Sequence, residues 1–321
     1  VAREQRGAAA GEAPCCALCG SRATTRLFTP RPGDSETQSA HPFWCCEECG
    51  ARFVHPQPDW NERNRHYTEA YPGYLRLETA PGALVAHSMA FGLRRRARFI
   101  ERFARPGLLL DVGCGGGDLM AILAARGWRP MGVEAMAPMA AAAAARSACP
   151  ALVGDGAALA VASGSCDVVL LWTTLEHAAD PRRTLAECAR ALRPGGLLIL
   201  NTTSTRSLIA HVTGRHWMGY DTPRVLFVFS PASLRNLLVQ SGLHLEWMGG
   251  HTNDFHPLLW SLRNWCAARA RAGAPCAALC RLLVRVAGSL PVRLATWPLL
   301  RLLTATGRGS FVAVVARKAA A

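Results

Sequence analysis

Two groups of residues have types and spacing that can do chemistry. The first is a repeated thiol turn, Cys16-Ala-Leu-Cys19-Gly20 and Cys46-Glu-Glu-Cys49-Gly50. Each copy presents two sulfurs to one ion, and the trailing glycine permits the tight turn that such a knuckle requires. Cys16, Cys19, Cys46 and Cys49 together make a four-sulfur tetrahedral site. This predicts a structural zinc with no coordination position left for a substrate. Cys15 and Cys45 are adjacent alternates. A redox dithiol is the competing chemistry, but that use of C-x-x-C goes with a βαβ pattern that these residues lack.

The second group begins at Asp111-x-Gly113-x-Gly115-x-Gly117, which follows the apolar run Leu108 to Val112 and precedes a helical pattern at Leu119, Met120, Ile122 and Leu123. Glycines let the backbone approach a ligand, and a helix N-terminus favours an anionic group. The dinucleotide fingerprint G-x-G-x-x-G fails here, because Asp118 stands where close helix packing wants glycine. A second strand, Pro130 to Val133, ends at Glu134. A carboxylate there can accept from both ribose hydroxyls, so a nucleoside is implied. Asp155, between Gly154 and Gly156, can accept from an adenine amino group or can simply cap a turn. His177 follows the next apolar run.

The elements that must position these groups alternate. Strands at 108–112, 130–133, 151–153, 166–171 and 197–201 are separated by helical patterns, including an alanine run at 139–146 and a helix from Asp180-Pro181 through Leu192 that Arg193-Pro194-Gly195-Gly196 ends. That alternation predicts a doubly wound α/β sheet. A helix at 231–241 and strands at 243–248 and 310–317 complete it. Short strands at 26–29, 43–45 and 52–54 accompany the cysteines and carry too little apolar surface to fold without metal.

On these residues the chain resembles the class I S-adenosylmethionine-dependent methyltransferases. The strings LLLDVGCGGGDLM, GVEAM, GDGAAL, CDVVLLWTTLEHAADP and LRPGGLLILNTTS occur in family order across 108–204. The resemblance implies a Rossmann-like seven-stranded sheet, with the N-terminal zinc ribbon and a helical C-terminal insertion added to it. It also implies that Asp111, Gly113, Gly115 and Gly117 line the methionine end of S-adenosylmethionine. Glu134 would hold the ribose with Met136 beside it, Asp155 and Gly156 would face adenine, and Thr173 would join the cofactor set.

The flanks, RHYTEAYPGY at 65–74 and GRHWMGYDTPRVLFVFSPASL at 214–234, look like bacterial methyltransferases found with polysaccharide and cell-surface glycan biosynthesis. In that group a His follows Pro-Arg, whereas here Val225 follows Pro223-Arg224. His177, at the carboxyl edge of a strand, is the first candidate for a general base or for orienting the acceptor; packing beside the cofactor is its alternative role. His216 and Asp221 are further catalytic candidates, and Trp217, Tyr220 and Arg224 are substrate candidates. Glu176 beside His177 raises a metal-assisted route, but two ligands make a thin site.

Between the last two strands lies an amphipathic insertion, 250–308, whose helical pattern at 257–306 carries Arg263, Arg269, Arg271, Arg281, Arg285, Arg293 and Arg301, with breaks at Gly273-Ala274-Pro275 and Pro291. It reads either as a peripheral membrane contact, with Trp260, Trp265 and Trp297 near the headgroups, or as a lid over the acceptor or a dimer contact.

The net charge of +14 on 321 residues resolves by segment. Residues 1–249 carry 26 basic and 21 acidic groups, or +5; residues 250–321 carry ten basic groups and Asp254 alone, or +9. Nucleic acid is disfavoured as a partner, because residues 1–55 lack a basic stripe with interleaved aromatics and the basic end is too apolar. An RNA methyltransferase, a nucleic-acid-binding ribbon protein and a catalytically silent sensor are the alternatives. The absence of long uncharged apolar runs, the lack of a signal-peptide pattern at 1–14 and the 13 cysteines suggest a reducing cytoplasm, with peripheral association at the inner face of the membrane.

The expected map is a ribbon at 14–55, a connecting helical segment at 56–95 and a methyltransferase domain at 96–317. The expected reaction is O-methylation of a glycan or related small-molecule hydroxyl.

Overall fold

A computed structural model describes residues 13–30, 41–67, 82–251, 254–271 and 277–320. Most of RHYTEAYPGY, the Gly273-Ala274-Pro275 break, the side chains of Arg271 and Arg281, and the chain's first twelve residues lie outside it.

In chain order, strands β1 (Thr24–Phe28), β2 (Phe43–Cys46) and β3 (Arg52–Val54) precede helices α1 (Trp60–Asn64) and α2 (Ala83–Glu101). The alternating part follows as β4 (Leu108–Val112), α3 (Asp118–Ala124), β5 (Arg129–Glu134), α4 (Ala137–Ser147), β6 (Ala151–Val153), β7 (Cys166–Trp172), α5 (Pro181–Ala191) and β8 (Leu192–Thr203). Then come α6 (Leu208–Thr213), β9 (Phe227–Val228), α7 (Pro231–Gln240), β10 (Leu243–Gly249), α8 (Phe255–Arg271), α9 (Ala277–Ala287), α10 (Leu290–Ala305) and β11 (Phe311–Lys318).

Seven strands form one sheet in the order β10-β11-β8-β7-β4-β5-β6. The pairs β4–β5, β4–β7, β5–β6 and β7–β8 are parallel. Parallel strands are covered on both faces and so read as continuous apolar runs. Leu109, Leu110, Val168, Val169, Leu170 and Leu171 are accordingly all sealed from solvent.

One boundary differs from the sequence expectation. Helix α5 stops at Ala191, and Arg193-Pro194-Gly195-Gly196 belongs to β8 rather than to a helix end. The register jumps from Cys166↔Leu192 to Val168↔Leu197, so the turn-like residues are absorbed as a bulge in the strand.

The chain is organised as two compact units that cut across the boundaries read from the sequence. One comprises Asn64–Asn201, Leu237–Met248 and Val314–Ala321; the other comprises Val1–Arg63, Thr202–Asn236 and Gly249–Ala313. The ribbon therefore shares a unit with the segment after β8 and with the helical insertion. A second, four-stranded sheet, β1-β2-β3-β9, makes the link. In it Phe53 pairs with Phe227 and Arg52 with Val228. The Ser230 hydroxyl donates to the Cys49 carbonyl at the same junction.

Asp254, the lone acid of the basic C-terminal quarter, is buried in this unit. It accepts from the Ser310 backbone N–H at 2.7 Å, and burial raises its pKa. The Ser310 hydroxyl in turn lies 3.1 Å from that of Ser207 and accepts from Trp217 Nε1 at 3.3 Å. Ser310 thus ties the segment before β11 to Asp254 through its N–H and to Ser207, ahead of α6, through its hydroxyl.

Candidate active site

The site is built on the turn that leaves β4. Gly113, Gly115 and Gly117 all have left-handed backbones, with φ of 81°, 53° and 79°. At Gly117 a side chain is excluded twice, because a Cβ would also come within 2.7 Å of the Ala143 backbone in α4. Close helix packing, which the dinucleotide fingerprint assigns one position later, is thus served by Gly117. A Cβ at Gly113 would strike the Thr174 side chain.

Strand β5 holds this turn in place. The N–H groups of Gly113 and Cys114 donate to the Val133 carbonyl at 2.7 and 3.2 Å. Glu134 adds a side-chain clamp: its two oxygens accept from Gly115 N–H at 3.0 Å and Met136 N–H at 3.1 Å. Asp111, Gly113, Gly115, Gly117, Glu134 and Met136 are therefore brought together.

The electrostatics of the turn are unusual for an interior. Asp111 is 3% exposed and Glu134 6% exposed. Burial pushes the Asp111 carboxyl up to about 7; Arg96 opposes this shift and Glu134 reinforces it. Arg96, on α2, is itself pulled down to about 10 by burial, with Asp111 opposing, and lies 5.1 Å from the centre of the Trp172 ring. Arg96 was not singled out from sequence, because it stands in the run Arg94-Arg95-Arg96 with nothing local to mark one member.

Two carboxylates against one guanidinium suit a ligand that brings its own positive charge. S-adenosylmethionine carries a sulfonium and an ammonium, charges that this pair of buried acids can receive. The residues present fit this cofactor.

At the end of β7, Thr173 takes φ of 54°, a strained conformation for a branched residue, while its N–H donates to the Asn201 carbonyl at 2.7 Å. His177 closes the short 3-10 turn Leu175–His177, is half-buried, and has the Tyr67 ring edge-on with centroids 6.3 Å apart. Tyr67 is a second neighbour that sequence reasoning missed; only the string RHYTEAYPGY contained it.

Asp155 is exposed and accepts from Ala157 N–H at 3.0 Å, as a turn aspartate does. Gly156 packs where a Cβ would meet Thr184 and Val112 at 3.1 Å. Among the described residues, Glu176 and His177 belong to no cluster able to hold a metal.

The other candidates lie in the ribbon-containing unit. Trp217 and Tyr220 are only 1% and 5% exposed. Tyr220 meets the rings of Phe28, Phe43 and Trp217 edge-on, and its hydroxyl accepts from Arg52. Arg224 is paired with Asp221 through an Nε–Oδ2 hydrogen bond of 2.8 Å. The His216 carbonyl accepts from Asn264 Nδ2 at 3.3 Å. The two rings expected to stack on an acceptor are thus enclosed by protein.

The four candidate sulfurs of Cys16, Cys19, Cys46 and Cys49 lie within 4.8 Å of one another. The Cys16–Cys49 and Cys19–Cys46 sulfur separations are 3.8 and 3.5 Å. A tetrahedron with metal–sulfur bonds of ~2.3 Å has edges of ~3.8 Å, so the donor set fits zinc. Cys15 is exposed, and Cys45 Sγ is turned to a backbone carbonyl.

Comparison with known proteins agrees with this geometry. Residues 85–246, just over half the chain, match the family described as a methyltransferase domain. The chain is 38% identical over 182 residues to a ubiquinone biosynthesis O-methyltransferase of Parvibaculum lavamentivorans, covering 51% of this chain and 71% of that protein. It is 32% identical over 164 residues to the protein of the same description from Cereibacter sphaeroides, covering 48% of this chain. It spans 66% of that relative's length.

A chain of the complex between the Haloferax volcanii Trm112 methyltransferase activator and its methyltransferase shares the fold, with a TM-score of 0.50 at 19% identity over 73% of this chain and 93% of that one. The chain belongs to the class I S-adenosylmethionine-dependent methyltransferase family, with residues 85–246 as its methyltransferase domain.

Proposed function

We propose that the protein transfers a methyl group from S-adenosylmethionine to a hydroxyl oxygen of a glycan or related small molecule. The observation that carries this reading is the buried pair Asp111 and Glu134 beside the left-handed glycine turn, an arrangement that suits a cationic ligand. The O-methyltransferase names of the curated relatives support oxygen as the acceptor atom. The glycan assignment rests on the sequence flanks.

When bound, the cofactor supplies a methyl on a sulfonium, open to in-line displacement. Glu134 presents its carboxylate to the ribose while its two N–H contacts keep it aimed. Asp111 faces the cationic end. His177 takes the acceptor's proton or orients its hydroxyl, with the Tyr67 ring packed edge-on beside the imidazole. Positioning supplies much of the rate, and a base adds roughly 10²–10⁴-fold.

The ribbon is proposed to hold a structural zinc, supported by the four-sulfur geometry. Peripheral contact with an anionic membrane is proposed for α10, supported by Leu294, Trp297 and Leu302 at 65%, 52% and 59% exposure and by Arg301 beside the Trp297 ring. No helix among the described residues is long and apolar enough to cross a membrane.

Four outcomes follow from these readings. A cation binds the ionised form of Asp111 better, so cofactor binding releases a proton and affinity rises with pH up to about 7, then levels. Calorimetry of S-adenosylmethionine binding across pH checks this. Asp111→Asn should flatten the profile and weaken binding about tenfold, and no binding to folded wild-type protein would defeat the methyltransferase reading. His177→Ala should keep cofactor affinity and lose about 10²-fold or more in turnover; unchanged turnover removes His177 from the mechanism.

Metal analysis should find stoichiometric zinc that Cys16→Ser abolishes, with chelation lowering the melting temperature by at least about 5 °C. The protein should co-sediment with anionic vesicles and lose this in the pair Leu294→Glu and Leu302→Glu. Failure of the intact chain to bind vesicles would sink the membrane contact.

A further inference from the structure

The ribbon-containing unit holds a cavity of about 680 Å³, within the ordinary size range of small-ligand sites. Arg52, Arg206, Arg215 and Arg308 all line it, and no aspartate or glutamate does. These arginines come from four separate places in the chain. Arg52 is on β3, Arg206 is in the turn after β8, Arg215 follows α6 and Arg308 precedes β11. Only the folded unit brings them together, and it does so against their mutual repulsion.

Two of the four are already engaged with aromatic rings. Arg52 donates to the Tyr220 hydroxyl, and Arg215 lies 5.8 Å from the centre of the Phe28 ring. Arg206 and Arg308 are exposed, and neither forms an ion pair with any described residue. Elsewhere in the protein exposed guanidiniums do find carboxylates, as Arg126 does with Glu101 and Arg317 with Glu246. Phe28 and Leu27 give the same cavity an apolar wall.

We infer that this cavity is a binding site for a phosphate-bearing ligand, its phosphate oxygens received by the forked donors of Arg206 and Arg308 with Arg52 and Arg215 behind them. Guanidinium forks match phosphate oxygens in pairs, and four positive charges around an open cavity favour a ligand with more than one negative charge. The Phe28 wall receives the organic part. The inference does not depend on methyl transfer, because the site is recognised by charge and shape alone.

The test is titration calorimetry of the full chain with inorganic pyrophosphate, and separately co-sedimentation with phosphatidylglycerol vesicles. Pyrophosphate should bind, more weakly as salt rises, with affinity about tenfold lower in Arg206→Gln or Arg308→Gln and no measurable binding in the double variant. Arg235→Gln removes one exposed arginine of the same unit outside the cavity and should leave pyrophosphate affinity unchanged. Circular dichroism and melting curves matching wild type establish that the variants fold. If vesicle binding also falls in the double variant and not in Arg235→Gln, the phosphate is a lipid headgroup; if pyrophosphate alone responds, the ligand is soluble. Absence of a response to either probe, or pyrophosphate binding untouched by the double variant, overturns the inference.

Discussion

The Glu134 carboxylate has to meet two demands at once, and the cofactor region is arranged around that. It is buried at the end of β5, where an ionised group loses most of its hydration. Two backbone N–H groups, from Gly115 and Met136, replace that hydration. In accepting them it fixes the middle of the glycine turn and the residue from which α4 starts. The same turn needs its left-handed glycines, since a side chain at Gly113 would meet Thr174 and one at Gly117 the Ala143 backbone in α4. At Asp111 burial outweighs the nearby Arg96 and raises the carboxyl's pKa, so its ionised form is the costlier one until a cation arrives.

Much of this was legible in the sequence because it is local. A strand buried on both faces must be an apolar run, a helix start beside a ligand needs glycines, and an acid at the next strand's end can reach a ribose. Each signal spans a few residues and its period is unambiguous. The spacing of four cysteines was local in the same sense, with two knuckles each complete within five residues.

What escaped the sequence is long-range. Arg96 is one of three consecutive arginines, and only the packing of α2 places it by Asp111 rather than in solvent. Tyr67 reaches His177 across more than a hundred residues of chain. Strand β9 is two residues long, too short to carry a period, yet it joins the ribbon's sheet and so puts the ribbon in one unit with residues 202–236. Trp217 and Tyr220 illustrate the opposite error of inference. Aromatics and charges on a connecting segment look like an acceptor surface, but here that segment supplies the core on which Phe28 and Phe43 pack. The loop composition was the same for either use; burial separates them.

The arginine excess can be parsed by what each guanidinium faces. In the insertion, Arg263, Arg269 and Arg301 lie against Trp260, Trp265 and Trp297 at 5.9, 4.1 and 5.8 Å from the ring centres. Such pairs place a cation beside an amphipathic ring without neutralising it, an arrangement suited to a boundary between apolar and polar surroundings. The one acid of that quarter, Asp254, is buried on Ser310 and offers nothing to these cations. The four arginines of the cavity differ in kind. They converge from distant positions on one open cavity, so their repulsion is concentrated where a single multivalent anion relieves it. A net charge of +14 therefore describes two separate chemistries, a dispersed aromatic-backed surface and a focused cavity, which the sum alone cannot tell apart.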